Sequence, residues 1–186
     1  MGTDKALLRL GGRTFLEIAL ENTRAVDPRP IIVGSRTAYG AYSEVIEDRF
    51  SDCGPMGGIH AALSATAAEL NLVLSVDMPL MDPKFLRWLV ARAAADYALA
   101  TVPRAGGHLQ SLCAVYRRGI LPNIEFELER KQYKLERIVG DGIVQEGEIE
   151  DAGFSAEIFR NVNQPWEYEG LNRTMAEAAQ PKEREQ

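Results

Sequence analysis

Leu72-Val73-Leu74-Ser75-Val76-Asp77-Met78-Pro79 decides the architecture of this chain. An apolar run of five residues, broken only by a serine, gives way to an acid and then a proline. A short continuous run of this kind fits a strand buried on both faces, as the strands of a parallel sheet are. Pro30-Ile31-Ile32-Val33, closed by Gly34, is a second such run. Between the two, Gly57-Gly58 opens an alanine-rich helical stretch to about Glu69. After Asp77, Asp82-Pro83 supplies an N-cap and a first-turn proline for a helix to about Ala95. Short strands alternating with helices predict an α/β sandwich of three layers around a mostly parallel central sheet.

Outward from this centre the same alternation continues. Thr14 and Glu17 have capping-box spacing, and Phe15, Leu16, Ala19 and Leu20 recur at helical intervals, which predicts a helix over 14–25. A strand over 97–102 turns through Arg104-Ala105-Gly106-Gly107-His108 into a strand over 112–116. Helical segments follow over 120–129 and 133–139, then short strands near Ile143 and over 159–162. Pro165 can open a last helix. The reading is one domain over residues 1–180, with no internal repeat, and a tail over 181–186 of disordered composition.

Composition narrows the function. The chain has 186 residues, 46% hydrophobic and 26% charged, an ordinary globular balance that supports a full core. Its net charge of −6 argues against a nucleic-acid partner, because displacing counterions from phosphates needs a basic surface. No apolar run approaches the ~18 residues that span a bilayer, so no membrane partner is expected. Cys53 and Cys113 are too few for a disulfide framework and point to a reducing cytoplasm. His60 and His108 have no neighbour at metal-ligand spacing, and no nucleophile elbow occurs.

Several residues carry chemistry with an ordinary alternative beside it. Asp77 stands at the carboxyl end of its strand, where open sheets bind ligands, and an acid there can hold Mg²⁺ against substrate phosphates. A turn aspartate would look the same. Gly54-Pro55-Met56-Gly57-Gly58 brings backbone to a helix N-terminus, which suits either an anion or a tight strand-to-helix turn. Lys5 can neutralise phosphate or lie on the surface, and Asp48 can be a solvated loop acid. Asn161 and Asn163 share one face, two residues apart, where amides bind substrate or brace a turn.

In order along the chain, five motifs resemble the molybdenum cofactor guanylyltransferase family. They are Met1-Gly2-x-Asp4-Lys5-Ala6-Leu7-Leu8, Val45-Ile46-Glu47-Asp48, Gly54-Pro55-Met56-Gly57-Gly58, Asp77-Met78-Pro79 and Asn161-Val162-Asn163-x-Pro165. The resemblance implies a Rossmann-like fold and transfer of GMP from GTP to molybdopterin, the organic part of the molybdenum cofactor, with release of pyrophosphate. It implies that Lys5 contacts the nucleotide phosphates and Asp48 the nucleotide. Asp77 would bind Mg²⁺ and nucleotide, and Gly54, Pro55, Gly57 and Gly58 would lie near base and ribose. His108, Asn161 and Asn163 would lie toward molybdopterin, although the family usually has proline near Ser111, and Met56 and Gly57 replace the usual Leu and Ala. Transient contact with a cofactor carrier or molybdoenzyme chaperones is implied as well.

In that family a strand and a Leu-Ala-Gly-Gly-x-Ser-x-Arg loop precede the Met-Gly run. The expectation is that this first, central strand is missing from the chain, with Met1 falling on a methionine inside the family's loop. A chain lacking it is expected to be poorly stable and inactive, since strands flanking the gap keep unpaired backbone edges. A CTP-dependent cytidylyltransferase, a sugar nucleotidyltransferase and a non-catalytic binding module share parts of the pattern and are the alternatives.

Overall fold

The computed structural model describes residues 4–48, 50, 52–140, 143–162 and 165–179. It begins with a turn of 3-10 helix over Lys5–Leu7 and a small hairpin of β1 (Arg9–Leu10) and β2 (Arg13–Thr14). Helix α1 (Phe15–Arg24) follows. The Thr14 hydroxyl accepts from the Glu17 amide at 3.1 Å, and the Glu17 carboxylate accepts from the Thr14 amide at 2.6 Å. This reciprocal cap satisfies two amides that have no partner inside the helix. Then come β3 (Ile32–Val33), α2 (Arg36–Tyr39), β4 (Val45–Ile46), α3 (Pro55–Ala65), β5 (Leu70–Leu74) and α4 (Pro83–Ala94). The second half holds β6 (Ala100–Ala105), β7 (His108–Leu109), β8 (Cys113–Arg117), α5 (Leu121–Glu129), α6 (Glu136–Val139), β9 (Ile143–Val144), α7 (Glu146–Asp151) and α8 (Pro165–Ala179).

The expected sandwich is present, and its central sheet is mixed. Strand order is β5-β8-β6-β7, with β9 beside β6. Strand β8 runs antiparallel to both β5 and β6, so those two share a direction, and β9 is parallel to β6. Side chains of β8 alternate across the sheet, as the pleat requires. Ala114 and Tyr116 pack with Met56, Ile59 and Leu63 of α3 and Ile124 of α5. Cys113 and Val115 pack on the other face with Phe85, Leu86 and Leu89 of α4. Phe85 is fully buried among Trp88, Phe154 and Phe159, with ring centroids 5.5, 5.3 and 5.1 Å away.

Strand positions differ from expectation where polar side chains settle the ends. The strand expected over 72–76 starts at Leu70, because Asn71 is accommodated by donating to the carbonyls of Ala68 and Tyr116. The strand expected from Tyr97 starts at Ala100, since Asp96 accepts from the amides of Tyr97 and Ala98 and ties them into a turn. The strand expected over 159–162 is not formed. A 3-10 turn over Ala156–Phe159 takes its place, capped by the Ser155 hydroxyl accepting from the Glu157 amide. The tail expected over 181–186 lies outside the described residues.

One discontinuity bears on function. Strand β3 pairs in parallel with β4, and among the described residues no strand joins that pair to β5.

Candidate functional site

The segments that follow β4 and β5 hold most of the residues picked out in the sequence. Asp77 stands three residues beyond the end of β5, and its carbonyl accepts from the Val162 amide at 3.0 Å. That bond brings Asn161 to Asp77. Both line a pocket of about 320 Å³ together with Gln110, Ser111, Tyr133, Lys134 and Glu136, and Pro55 joins it from the start of α3. Three buried atoms of this pocket's residues have no hydrogen-bond partner among the described residues: Asp77 Oδ1, Asn161 Oδ1 and Ser111 Oγ. A buried polar atom left unbonded costs about 1–3 kcal/mol, so three around one pocket leave a place for water or ligand atoms to complete the bonding.

These atoms fit a hard cation. Carboxylate and amide oxygens are the donors Mg²⁺ accepts, and Mg²⁺ needs only one or two carboxylates when phosphates and water complete its shell. Among the described residues no group of three or more His, Cys, Asp or Glu gathers to hold a metal by protein ligands alone. Asp77 would therefore share a cation with a phosphate-bearing substrate.

Asp48 follows β4 and turns onto the start of α3. Its Oδ1 accepts from the Phe50 amide at 2.8 Å. A β-carbon on Gly57 would lie 2.7 Å from Asp48 Oδ2 and 3.0 Å from the Phe50 carbonyl oxygen, so glycine is required for this approach. Gly54, just ahead of the helix, has φ of 57°, a conformation that glycine adopts without strain. The structure thus brings Asp48 together with the Gly54–Gly58 turn.

Lys5 lies in the first helical turn, braced by Asp4. The Asp4 carboxylate accepts from the Ala6 amide at 3.0 Å and from the Tyr39 hydroxyl at 2.6 Å. Burial, then the bond to Asp4, pushes the Tyr39 phenol up to about 12. Ala6 packs in one cluster with Leu16, Leu20 and Ile32, and Val76 packs against that cluster, which sets Lys5 near the strand end that carries Asp77.

His108 stands exposed on β7 and does not line the Asp77 pocket, whereas Gln110 and Ser111 do. Asn163 lies outside the described residues. Ser111 is fixed from behind: its carbonyl accepts from the buried Tyr116 hydroxyl at 2.8 Å, and burial pushes that phenol well above its ordinary range. Tyr133 and Lys134 escaped the sequence reading because they fell in an expected helix. Lys131 adopts φ of 56° after α5, α6 begins only at Glu136, and the intervening residues reach the pocket instead. The signal available was the polar run Lys131-Gln132-Tyr133-Lys134, too rich in polar groups to need burial. Tyr133 is also held above the ordinary phenol range by its bond with Cys53.

Residues 1–146 match the model of the MobA-like NTP transferase domain. The chain belongs to this family. It is 35% identical over 137 residues to a probable molybdenum cofactor guanylyltransferase of Pelotomaculum thermopropionicum, covering 73% of this chain and 66% of that protein. It is 30% identical over 175 residues to a protein of the same description from Carboxydothermus hydrogenoformans, covering 92% of this chain and 88% of that one. Its fold is similar to the crystal structure of molybdopterin-guanine dinucleotide biosynthesis protein A from Archaeoglobus fulgidus, with a TM-score of 0.79 at 20% identity over 95% of this chain and 92% of the other. In this MobA-like domain the polar turns lie at the carboxyl ends of the strands, where α/β sheets bind ligands.

Proposed function

We propose that this MobA-like domain transfers GMP from GTP to a terminal phosphate of molybdopterin. A phosphate oxygen of molybdopterin bonds to the α-phosphorus of GTP, the bond from that phosphorus to the bridging oxygen breaks, and pyrophosphate leaves. The carrying observation is the unbonded, buried Oδ1 of Asp77 beside that of Asn161 at the carboxyl end of β5. The likeness to relatives described as guanylyltransferases supports the choice of substrates.

The attacking group is already an anionic oxygen, so no covalent nucleophile is required from the protein. The difficulty is bringing two anions together and aligning them, which positioning and fixed charge supply. Mg²⁺ held by Asp77 would offset phosphate charge on both sides of the breaking bond. Lys5 adds a positive charge from the first turn of the chain. The Asp48 carboxylate over the start of α3 accepts hydrogen bonds from the nucleotide's sugar or base, with Gly57 and Gly58 allowing close approach. Ser111, Asn161 and Lys134 face the second substrate: a hydroxyl, an amide and a cation suit the oxygens and ring nitrogens of a phosphorylated pterin.

The test is pyrophosphate release, with molybdopterin and Mg²⁺ supplied, by the chain joined behind the strand and Leu-Ala-Gly-Gly-x-Ser-x-Arg loop that precede the Met-Gly run in the family. GTP is expected to turn over and CTP to do so at least ~100-fold more slowly. Turnover with CTP alone would overturn the guanylyl assignment, and the absence of turnover with either nucleotide would overturn the reaction.

A further inference from the structure

The wall of the Asp77 pocket that follows α5 is pinned from behind and presents charge in front. Tyr133 is bonded to Cys53, just ahead of the Gly54 turn. Leu135, Ile138 and Val139 are buried in the cluster built on α3 and α5. Arg137, the next residue after Glu136, is committed to the buried carboxylate of Glu127 on α5. Lys134 and Glu136 are left exposed, and both line the pocket. A wall ordered in advance loses little freedom when a ligand binds, so its side chains can select. Glu136 belongs to the part of the pocket that Ser111 occupies. After burial, its charge is the next reason that the Tyr116 phenol stays protonated, and that phenol donates to the Ser111 carbonyl.

What this part of the pocket offers is acceptors. Gln110 donates through Nε2 to the carbonyls of Ala105 and His108 at 3.3 and 3.4 Å, and two carbonyls on that side fix which end of the amide is nitrogen. Its oxygen is the end left to a ligand. Ser111 is 8% exposed, and its unbonded Oγ can take or give a hydrogen bond. The Glu136 carboxylate repels phosphate and accepts from N–H groups, so it suits the end of a substrate that carries donors. An edge with two neighbouring N–H groups meets both carboxylate oxygens at once, as a guanidinium does. The 2-amino-4-oxopyrimidine ring has such an edge, a ring N–H beside an exocyclic amino group. Met78, Leu112 and Leu135 offer apolar contact to a flat ring, and the pocket's volume of about 320 Å³ equals roughly ten waters at about 30 Å³ each, room for one bicyclic heterocycle.

We propose that Glu136 is a specificity-determining residue of this site, its carboxylate accepting from the ring N–H and the 2-amino group of the pterin of molybdopterin, with Gln110 Oε1 as a further acceptor for that ring. The inference rests on the reading that molybdopterin is the second substrate, and it names the group that reads it. Guanine carries the same edge. The pterin is assigned because the nucleotide turn has an acceptor of its own in Asp48, over the start of α3, whereas Glu136 shares its pocket with Ser111 and Asn161.

The probe is pterin, whose own fluorescence reports binding, set against lumazine, the same bicycle with oxygen in place of the 2-amino group. The joined chain of the pyrophosphate test is titrated with each at neutral pH. Pterin is expected to bind at least ~10-fold more tightly than lumazine, the scale of one hydrogen bond to a charged group. Glu136→Gln, whose amide both donates and accepts, is expected to bring the two ligands within about twofold of each other. Its melting temperature should stay that of the parent, because Glu136 is exposed. Binding of GTP and of ITP, which lacks the 2-amino group of guanine, is measured by calorimetry in both proteins, and their ratio is expected not to change. Three outcomes would overturn the proposal. The first is a parent that binds pterin no better than lumazine, or binds neither. The second is a preference for pterin that survives in Glu136→Gln, meaning that Glu136 does not read the ring. The third is a preference for GTP over ITP that collapses in Glu136→Gln, meaning that the edge being read is that of guanine. Discrimination of pterin without pyrophosphate release would sink the reaction alone, and release without discrimination would sink this assignment alone.

Discussion

The carboxylate of Asp77 keeps one oxygen buried and unbonded, so removing its charge should relieve the fold while damaging the reaction. Asp77→Asn is expected to lower nucleotidyl transfer by at least ~100-fold, the scale of losing one electrostatic stabiliser at a reacting phosphate. Its thermal melt should match or exceed that of the parent, and a retained rate would remove Asp77 from the site. Gly57 makes the converse case, because the β-carbon of Gly57→Ala would stand 2.7 Å from Asp48 Oδ2 and 3.0 Å from a backbone oxygen. The backbone cannot give as a flexible side chain can. A loss of about 1–3 kcal/mol in denaturant unfolding is expected, with weaker nucleotide binding as Asp48 is displaced. Tyr39 yields a pH prediction. Its phenol is pushed up to about 12, so folding favours the protonated form, and the contribution is complete below the free value of about 10. As pH rises from about 10 through 12 that contribution is lost. Chemical unfolding across this range should show a steeper decline in the parent than in Tyr39→Phe, and equal slopes would refute the assignment.

Whether an element could be read from the sequence depended on how local its determinants are. Helix α1 was readable because Thr14, Glu17 and the apolar spacing lie within one turn of each other, and Thr14→Ala is expected to cost about 1 kcal/mol in unfolding measurements. Helix α4 was readable for the same reason, through Asp82 and Pro83. The sheet was not. Whether β8 runs with or against β5 depends on pairings at least 39 positions apart, from Leu74 with Cys113 onward, and its short run Cys113–Arg117 fits either direction. The two-residue strand β4 and the four-residue helix α2 are too short for any periodicity to show. At the site, Asp48, Asp77 and the Gly54 turn stood out because acids and glycines interrupt apolar runs. Ser111 and Lys134 did not, since their roles come from the Tyr116 bond and the late start of α6.

Over the whole molecule, the described sheet is divided into unequal parts, and stability should follow that division. The β5-to-β9 part is clamped between two large clusters, one built on α3 and α5 and the other on α4 with its stacked aromatics. The β3–β4 part rests on a smaller cluster of Ala6, Leu16, Leu20, Ile32 and Val45. Helices α1 and α3 border the groove between the parts, but no described strand bonds bridge it. Local opening follows buried apolar contact and shared hydrogen bonding, so the smaller part should open without the larger. Native-state hydrogen exchange is expected to show the amides of Ile32 and Gly34 opening at least tenfold more readily than those of Val73 and Tyr116, although each is bonded within its own part. Phe85→Ala, which removes the ring at the centre of the α4 cluster, should cost about 3–5 kcal/mol and lower protection at Val115 while leaving that at Ile32 nearly unchanged. Equal protection in both parts, falling together in the variant, would show that the molecule opens as one unit and that the division of the sheet has no energetic consequence.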